Sequence, residues 1–281
     1  MDQLSSVLPN LSCSLRATVL GRSGESCLLD CVEEEAVAFR YNGFSHGVMM
    51  ATSTDLEDFT YGFSLAEGVI EGAGDIDTLS ISPAPDGVAI DVSLDGASLH
   101  RYLAGRRIRH LRGNTSCGLC GVQDLGEVRR PPARVRAAEP PDESLILAAF
   151  ERLRDWQPLS RLTRGAHAAA WVAGDGGIVA VREDVGRHNA LDKLVGAGLR
   201  GSFSNSGGFC LVTSRCSFEM VQKAVAAGFP AIVSASAPTA LAIRTAAAAG
   251  LTLCALSRER RPLMFTHPDI GEDQACQSNE S

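Results

Sequence analysis

Residues 209–256, FCLVTSRCSFEMVQKAVAAGFPAIVSASAPTALAIRTAAAAGLTLCAL, decide the fold. Three short apolar runs alternate there with two amphipathic segments. The runs cover 209–212, 231–233 and 251–256, and the amphipathic segments cover 218–227 and 239–249. Gly228 and Gly250 follow the amphipathic segments, where glycine commonly ends a helix. Short buried strands that alternate with helices are typical of a mixed, mostly parallel sheet covered by helices, so we expect an α/β domain.

The same pattern extends upstream. It predicts helices at 143–156 and 189–199 and strands at 168–173 and 178–182. Prolines at 131, 132, 140 and 141 interrupt any regular element, so 128–141 is the expected linker. The α/β domain then spans 142–270, and the polar tail 271–281 is expected to be disordered.

The preceding part, 31–127, is expected to form a smaller α+β subdomain. Its predicted elements are a hairpin of 36–41 and 48–50 turning at Asn42-Gly43, a helix at 55–67, strands at 78–82 and 88–94, and a helix ending at Gly113. Thr54 and Glu57 have the spacing of a capping box, and Gly68 fits the end of the first helix. Residues 1–30 show weak periodicity, so we expect a variable segment with ordered structure beginning near Glu35.

Composition excludes several classes of protein. The 281 residues, 45% hydrophobic and 21% charged, can bury a large core, and the net charge of -7 argues against nucleic-acid binding. The N-terminus lacks a signal peptide, and no apolar run is long enough for a membrane helix, which predicts a cytoplasmic protein. Nine cysteines, an odd number, predict reduced thiols rather than a disulfide framework.

A cysteine pair, Cys117 and Cys120, lies in the glycine-rich segment GNTSCGLCG at 113–121. It follows a stretch, 101–112, with five arginines and no acid, and a guanidinium such as that of Arg112 favours a thiolate. On the pair alone, three chemistries remain open: a structural zinc site, a dithiol oxidoreductase and a persulfide carrier. The zinc site would need further ligands, for which the candidates are His110, Cys210 and Cys216.

Polar residues gather directly after the predicted strands, at 182–188, 213–215, 234–236 and 257–261. The carboxyl ends of strands border the ligand crevice in open α/β sheets, and Ser, Thr and Arg there bind phosphate oxygens. The candidate residues outside the last cluster are His188, Thr213, Ser214, Arg215, Ser234 and Ser236. We therefore expect a phosphorylated ligand, although neither GxxxxGK[ST] nor GxGxxG occurs.

The chain resembles the FdhD/NarQ formate dehydrogenase accessory sulfurtransferases from about residue 33 to 269. The matching segments occur in the family's order. They are Asn42-Gly43, VMMATSTDLED at 48–58, SCGLCG at 116–121, EDVGRHNALDK at 183–193, TSRCSFE at 213–219, SAPTA at 236–240 and FTHP at 265–268.

The resemblance implies that a cysteine desulfurase loads sulfur as a persulfide on Cys117, with Cys120 as a supporting or resolving thiol. The acceptor would be the bis-molybdopterin guanine dinucleotide cofactor, which is then inserted into the catalytic subunit of formate dehydrogenase. A guanine nucleotide such as GDP would mimic that cargo. The resemblance places the nucleotide site at Leu256, Ser257, Arg258, Glu259, Arg260 and Arg261.

The resemblance also implies a homodimer and a fold similar to cytidine deaminases. Deaminase chemistry does not transfer, because the sequence lacks the required H-x-E motif and a proline before Cys117, and no resident metal is expected. The alternative function is a zinc-stabilised nucleotide-binding regulatory protein, and a second rival is a dithiol reductase that cycles a Cys117–Cys120 disulfide.

Overall fold

The computed structural model describes residues 13–20, 26–110 and 134–269. Strands β1 (Ser14–Leu20) and β2 (Ser26–Val32) form an antiparallel pair. The next four strands, β3 (Glu35–Tyr41), β4 (Phe44–Ala51), β5 (Ile76–Ala84) and β6 (Gly87–Leu94), form a sheet in the order β4-β3-β6-β5. In the chain, helix α1 (Leu56–Ala66) follows β4 and helix α2 (Gly96–His110) follows β6.

The predicted hairpin is confirmed. Tyr41 pairs with Phe44, and the two residues between them have positive φ angles of 47° at Asn42 and 80° at Gly43. Positive φ at both central positions suits the right-handed twist of the flanking strands, and Asn-Gly tolerates it.

The predicted helix at 55–67 is confirmed as α1, but the capping box is wrong. Asp55 occupies the N-terminal cap position with a φ of 51° and makes no side-chain bond to the helix backbone. The Asp55 and Glu57 carboxylates face Arg182 and Arg200 instead, so tertiary ion pairs replace the local cap. Gly68, with a φ of 65°, lies just past the helix end as expected.

The expectation that ordered structure begins near Glu35 is wrong, because β1 and β2 precede it. The two strands pair in unbroken register from Ser14 opposite Val32 to Leu20 opposite Ser26. Residues 26–29 are all exposed, including Leu28 and Leu29, so this strand has no buried face and lacks the apolar alternation by which strands are recognised.

The second sheet contains six strands: β7 (His167–Ala173), β8 (Ile178–Asp184), β9 (Gly208–Arg215), β10 (Ala231–Ser236), β11 (Thr252–Leu256) and β12 (Pro262–Thr266), in the order β12-β11-β10-β9-β7-β8. Its helices are α3 (Glu143–Leu153), α4 (Pro158–Thr163), α5 (Arg187–Leu199), α6 (Phe218–Ala226) and α7 (Ala240–Ala249). The α/β class is confirmed.

The expected mostly parallel pairing is wrong. Only β9–β10 and β10–β11 are parallel, and the other three neighbouring pairs are antiparallel. The reason is the length of the connections: four residues separate β7 from β8, and five separate β11 from β12. Parallel neighbours need a crossover of a dozen or more residues, so links this short join antiparallel strands.

Helices cover both faces of the six-stranded sheet. On one face, Leu191 and Leu194 of α5 and Met220 and Val221 of α6 pack in a cluster with Trp171. On the other face, α3 packs its buried residues against β7, β9, β10 and β11. Within the described residues, no helix is long and apolar enough to cross a membrane.

A close contact between α1 and α5 joins the four-stranded half of the protein to the six-stranded half. A Cβ atom added to Gly62 would lie 1.8 Å from the carbonyl oxygen of Asp192, and one added to Gly196 would lie 1.8 Å from that of Asp58. Only glycine allows the two helix backbones to approach this closely. The boundary at 128–141 stays a prediction, and the helix end at Gly113 and the tail 271–281 lie outside the described residues.

Candidate functional site

The carboxyl ends of four strands meet at one edge of the six-stranded sheet. β8 runs antiparallel to β7, and β7 runs antiparallel to β9, so β8 points in the same direction as β9, β10 and β11. Helices α5, α6 and α7 begin just after β8, β9 and β10. The structure therefore brings all four polar clusters found in the sequence to the same edge.

At the end of β9, two predicted hydroxyls are used by the protein backbone. Thr213 Oγ1 accepts a hydrogen bond of 2.9 Å from the Ala168 amide. Ser214 is buried, and its hydroxyl donates to the Arg215 carbonyl at 2.9 Å. Arg215 is exposed and pairs in register with Ser236 of β10. Of these three residues, Arg215 is the one that faces solvent.

The two serines of β10 differ in the same way. Ser234 is completely buried, and its hydroxyl donates to the Ser236 carbonyl at 2.8 Å. The same hydroxyl lies 3.4 Å from the Cys254 carbonyl, so it ties β10 to β11. Ser236 itself is exposed at the strand end. A ligand at this edge can reach Ser236, whereas Ser234 supports the backbone beneath it.

The loop 257–261 closes the hairpin between β11 and β12. The Ser257 amide donates to the Arg261 carbonyl at 2.8 Å, and the Arg261 amide donates to Ser257 Oγ at 3.1 Å. Arg260 has a φ of 60°, and its amide donates to the Ser257 carbonyl at 3.0 Å. Leu256 is 9% exposed and fixes the loop to the core.

The charged side chains of this loop face solvent. Arg258, Glu259, Arg260 and Arg261 are all exposed, and within the described part of the chain the three arginines form no ion pair. Guanidinium groups in that state can bind a phosphate bidentately without first breaking another contact. The loop can therefore act as an anion-binding surface at the end of β11.

His188 lies at the start of α5 and is held by residues from α6 and its cap. Its Nε2 atom lies 2.8 Å from the Glu219 carboxylate and 3.4 Å from the Ser217 hydroxyl. The nearby His167 is half-buried, and burial together with the positive charges of Arg187 and His188 lowers the pKa of His167. His188 thus lies at this edge of the sheet, but its Nε2 atom already has the Glu219 carboxylate as a partner.

Sequence reasoning missed a buried polar network between the segments 48–58 and 183–193. Lys193 Nζ lies 2.7 Å from Asp184 Oδ2, and it donates to the Thr52 carbonyl at 2.9 Å. The other Asp184 oxygen accepts from the Gly186 amide at 2.8 Å and from Asn189 Nδ2 at 3.0 Å. Polar residues inside the otherwise apolar sequence of α5 were the available signal.

A second set of ion pairs strengthens the same junction. The Asp58 carboxylate, 5% exposed, receives Arg182 Nε at 2.7 Å and Arg200 at 2.5 Å. Asp192 lies 2.7 Å from Lys223, and burial raises the pKa of Asp192 despite this partner. Asp58 with Arg182 and Arg200 joins the two halves of the protein, whereas Asp192 and Lys223 tie α5 to α6 within the six-stranded half.

The cysteines divide into three groups, of which the first is at the surface: Cys27 and Cys31 are exposed and Cys13 is partly exposed. Cys117 and Cys120 lie outside the described residues. Cys210, Cys216 and Cys254 are buried, and burial raises the pKa of Cys216 and Cys254 to about 12 and that of Cys210 above its usual range. In the part of the chain that the structure describes, no cluster of three or more His, Cys, Asp or Glu could hold a metal ion. The core thiols are therefore unsuited to nucleophilic chemistry at neutral pH.

Comparisons with known proteins agree on one family. The model of the FdhD/NarQ family matches residues 32–270. The sulfur carrier protein FdhD of Bordetella petrii is 42% identical over 274 residues, which cover 96% of this chain and 98% of that protein. The protein of the same name from Cupriavidus necator is 45% identical over 256 residues, 90% of this chain and 88% of its own.

A solved structure also matches. The crystal structure of a proposed formate dehydrogenase accessory protein from Desulfotalea psychrophila aligns with a TM-score of 0.69 and 26% sequence identity. The alignment covers 92% of this chain and 99% of that one. The shared architecture therefore includes both sheets and not the α/β half alone.

Proposed function

The chain belongs to the FdhD/NarQ family, and from this premise we propose that it is a sulfur carrier that serves a formate dehydrogenase. The relatives from Bordetella petrii and Cupriavidus necator bear the name sulfur carrier protein, and the matches cover 98% and 88% of their lengths. The similarity therefore covers nearly the whole of each relative and not one shared domain, which supports assigning the relatives' role to this chain.

In the proposed reaction, Cys117 is the sulfur-accepting nucleophile. Its thiolate attacks the outer sulfur of a persulfide on a cysteine desulfurase, and the bond between the two desulfurase sulfurs breaks. The desulfurase cysteine leaves as a thiolate, and Cys117 carries the transferred sulfur as a persulfide. Cys120 acts as a supporting or resolving thiol. Among the remaining cysteines, the three core thiols hold pKa values too high for this step.

The observation that carries the cargo assignment is the set of exposed arginines at one sheet edge. Arg215 ends β9, and Arg258, Arg260 and Arg261 follow β11; none of the four forms an ion pair within the described residues. Such an edge suits the phosphates of a large nucleotide, and we propose the bis-molybdopterin guanine dinucleotide cofactor as the sulfur acceptor, with GDP as its mimic. Ser236 and His188 lie at the same edge.

The proposal includes partners and a location. A cysteine desulfurase donates the sulfur, and the catalytic subunit of a formate dehydrogenase receives the sulfurated cofactor in the cytoplasm. We further propose a homodimer and a cytidine deaminase-like arrangement of the α/β half. The strand order β8-β7-β9-β10-β11, in which β7 is antiparallel to both of its neighbours, supports that arrangement.

Sulfur loading is tested by mass spectrometry. The full chain is incubated with a cysteine desulfurase and cysteine, and peptides are mapped for the added mass of one sulfur atom. We expect the label on Cys117, its loss in Cys117→Ala, and no change in Cys31→Ala, a control at an exposed cysteine of β2. Undiminished loading of Cys117→Ala, or stoichiometric zinc bound through Cys117 and Cys120, would contradict the carrier model.

Nucleotide binding is tested by calorimetry with GDP. Replacing Arg258 or Arg261 by Gln removes a charge-assisted hydrogen bond worth about 1.5 to 3 kcal/mol, so we expect GDP affinity to fall about tenfold or more. Arg244→Gln, at an exposed position of α7, is the matched control and should bind as the wild type does. Equal GDP affinity in all variants would remove the loop 257–261 from the cargo site.

A further inference from the structure

A cavity of about 350 Å³ lies beside α4, and none of its lining residues belongs to the short matching segments or to the cysteine segment 113–121. It is lined by Arg154, Gln157, Ser160, Arg161 and Arg164. The volume is near the lower end of the roughly 300 to 1,000 Å³ typical of small-molecule sites. A compact ligand would therefore fit it better than a dinucleotide.

The cavity has one sign of charge. Three of its five lining residues are arginines, and no carboxylate lines it. The Glu183 carboxylate lies close by, where it accepts from the Ser160 amide at 2.8 Å and attracts Arg161 without forming an ion pair with it. Within the described residues, none of the three guanidinium groups forms an ion pair. Three guanidinium groups around one concave surface repel one another, and an anion between them relieves that repulsion while accepting their hydrogen bonds.

Gln157 gives independent support for a ligand. It is only 7% exposed, yet its side-chain amide has no hydrogen-bond partner among the described residues. Its backbone groups are satisfied, because the amide donates to the Arg154 carbonyl and the carbonyl accepts from the Arg161 amide. The amide is not among the fully enclosed unpaired polar atoms of the described residues, so it opens to the cavity, where its donor and acceptor are available to a ligand.

Two ordinary explanations do not account for these features. The first amides of α4 are already used, since Glu183 accepts from Leu159 and Ser160, so the helix N-terminus contributes no anion site. Arginines near helix C-termini also offset the helix dipole, which would explain Arg161 and Arg164 singly. That explanation requires neither a cavity nor the unpartnered amide of Gln157.

We propose that the cavity formed by Arg154, Gln157, Ser160, Arg161 and Arg164 binds a phosphate group, with the arginines as charged donors and Gln157 and Ser160 as neutral ones. The ligand is inorganic phosphate or a small phosphomonoester, which share the same tetrahedral anion. None of the lining residues belongs to the loop 257–261, and the proposal does not depend on the sulfur-carrier role.

Calorimetric titration of the full chain tests the proposal. The probes are inorganic phosphate, glycerol 3-phosphate and, as a singly charged comparison, acetate. We expect phosphate to bind and acetate to bind at least about tenfold more weakly, because a dianion with more acceptor oxygens uses more of the donors. Tighter binding of glycerol 3-phosphate than of phosphate would identify a phosphorylated metabolite, and the reverse order would identify free phosphate; both support the site.

Variants locate the binding. We expect Arg161→Gln and Arg164→Gln each to weaken phosphate about tenfold, and Gln157→Leu to weaken it roughly two- to tenfold. Arg161 and Arg164 are exposed, so their replacement leaves the fold intact even if Gln157→Leu does not. Arg244→Gln is the control for lost charge and should bind normally.

Three results would overturn the proposal. The first is absence of phosphate binding by the wild-type chain. The second is phosphate binding that survives Arg161→Gln but disappears in Arg258→Gln, which would place the anion on the loop 257–261. The third is binding of an acidic peptide, in preference to phosphate, that depends on Arg161; this would make the surface a protein docking site.

Discussion

Lys193 Nζ lies 2.7 Å from Asp184 Oδ2, and both side chains are completely buried. Lys193→Met would leave the Asp184 carboxylate buried without its countercharge, and we expect the free energy of unfolding to fall by about 3 to 5 kcal/mol. Urea denaturation measures this. The control is Arg16→Gln, whose pair with Asp30 is exposed to solvent and should contribute little to stability. A similarly small loss for Lys193→Met would refute the structural role of the pair.

Gly196→Ala tests the contact between α1 and α5. The added methyl group would meet the Asp58 carbonyl at 1.8 Å, so the helices must separate, and we expect a loss of at least about 3 kcal/mol or failure to fold. The matched control is Gly105→Ala in α2, where nothing lies within 4 Å. There, the better helix propensity of alanine should give a gain of up to about 1 kcal/mol. Equal stability of the two variants would contradict this packing.

Asp192 predicts a pH dependence of stability. Burial raises its pKa above the ordinary value of 3.8, so the folded chain holds this proton more tightly than the unfolded chain does. The contribution of Asp192 to stability is therefore fully present below about pH 4 and is lost as the pH rises through the raised pKa. Because the asparagine of the Asp192→Asn variant cannot ionise, we expect the stability of this variant to rise relative to that of the wild type as the pH increases over that range.

The measurement for Asp192→Asn is urea denaturation at several pH values between about 4 and 7. Asp155→Asn, at an exposed position, should run parallel to the wild type and serves as the control. If the curve for Asp192→Asn is also parallel to the wild type, the carboxylate does not titrate as its burial requires.

Thiol alkylation distinguishes the core cysteines from the exposed ones. With a pKa of about 12, the Cys216 and Cys254 thiols are almost entirely protonated at about pH 8, and burial also blocks access to them. We expect iodoacetamide to modify Cys27 and Cys31 in the native protein and the two core thiols only after unfolding. Native labelling of Cys216 as fast as that of Cys31, read by peptide mass spectrometry, would contradict the described core.

The sequence predicted the centre of the α/β half well for a physical reason. Strands β9, β10 and β11 are covered by helices on both faces, so their residues form continuous apolar runs. β12 was missed because its middle residues, Leu263 and Met264, are 48% and 46% exposed and give no such run. The direction of the strands was misjudged because hydrophobic periodicity carries no information about direction. The link at 174–177 did carry it, because a connection of four residues is too short to join parallel neighbours.

The sequence predicted where the candidate site lies better than it predicted which contacts the side chains of the site make. The residues after the strands do meet at one edge, as the rule for α/β sheets requires. The sequence could not show that the Thr213 hydroxyl is used by the backbone, because its partner, Ala168, is distant in the chain. The Ser234 hydroxyl has a local partner in the Ser236 carbonyl, but its contact with Cys254 and its burial depend on the folded sheet. The same limit hid Lys193, whose partners come from both halves of the protein.

The loop 257–261 is closed by three hydrogen bonds of its own before any cargo arrives. Fixing the backbone of a free loop costs roughly 1 to 2 kcal/mol per residue in conformational entropy, and here the cost has already been met during folding. An arriving phosphate has only the arginine side chains to order. In the cargo site that we propose, binding and release would therefore require the rearrangement of side chains and not the folding of the loop.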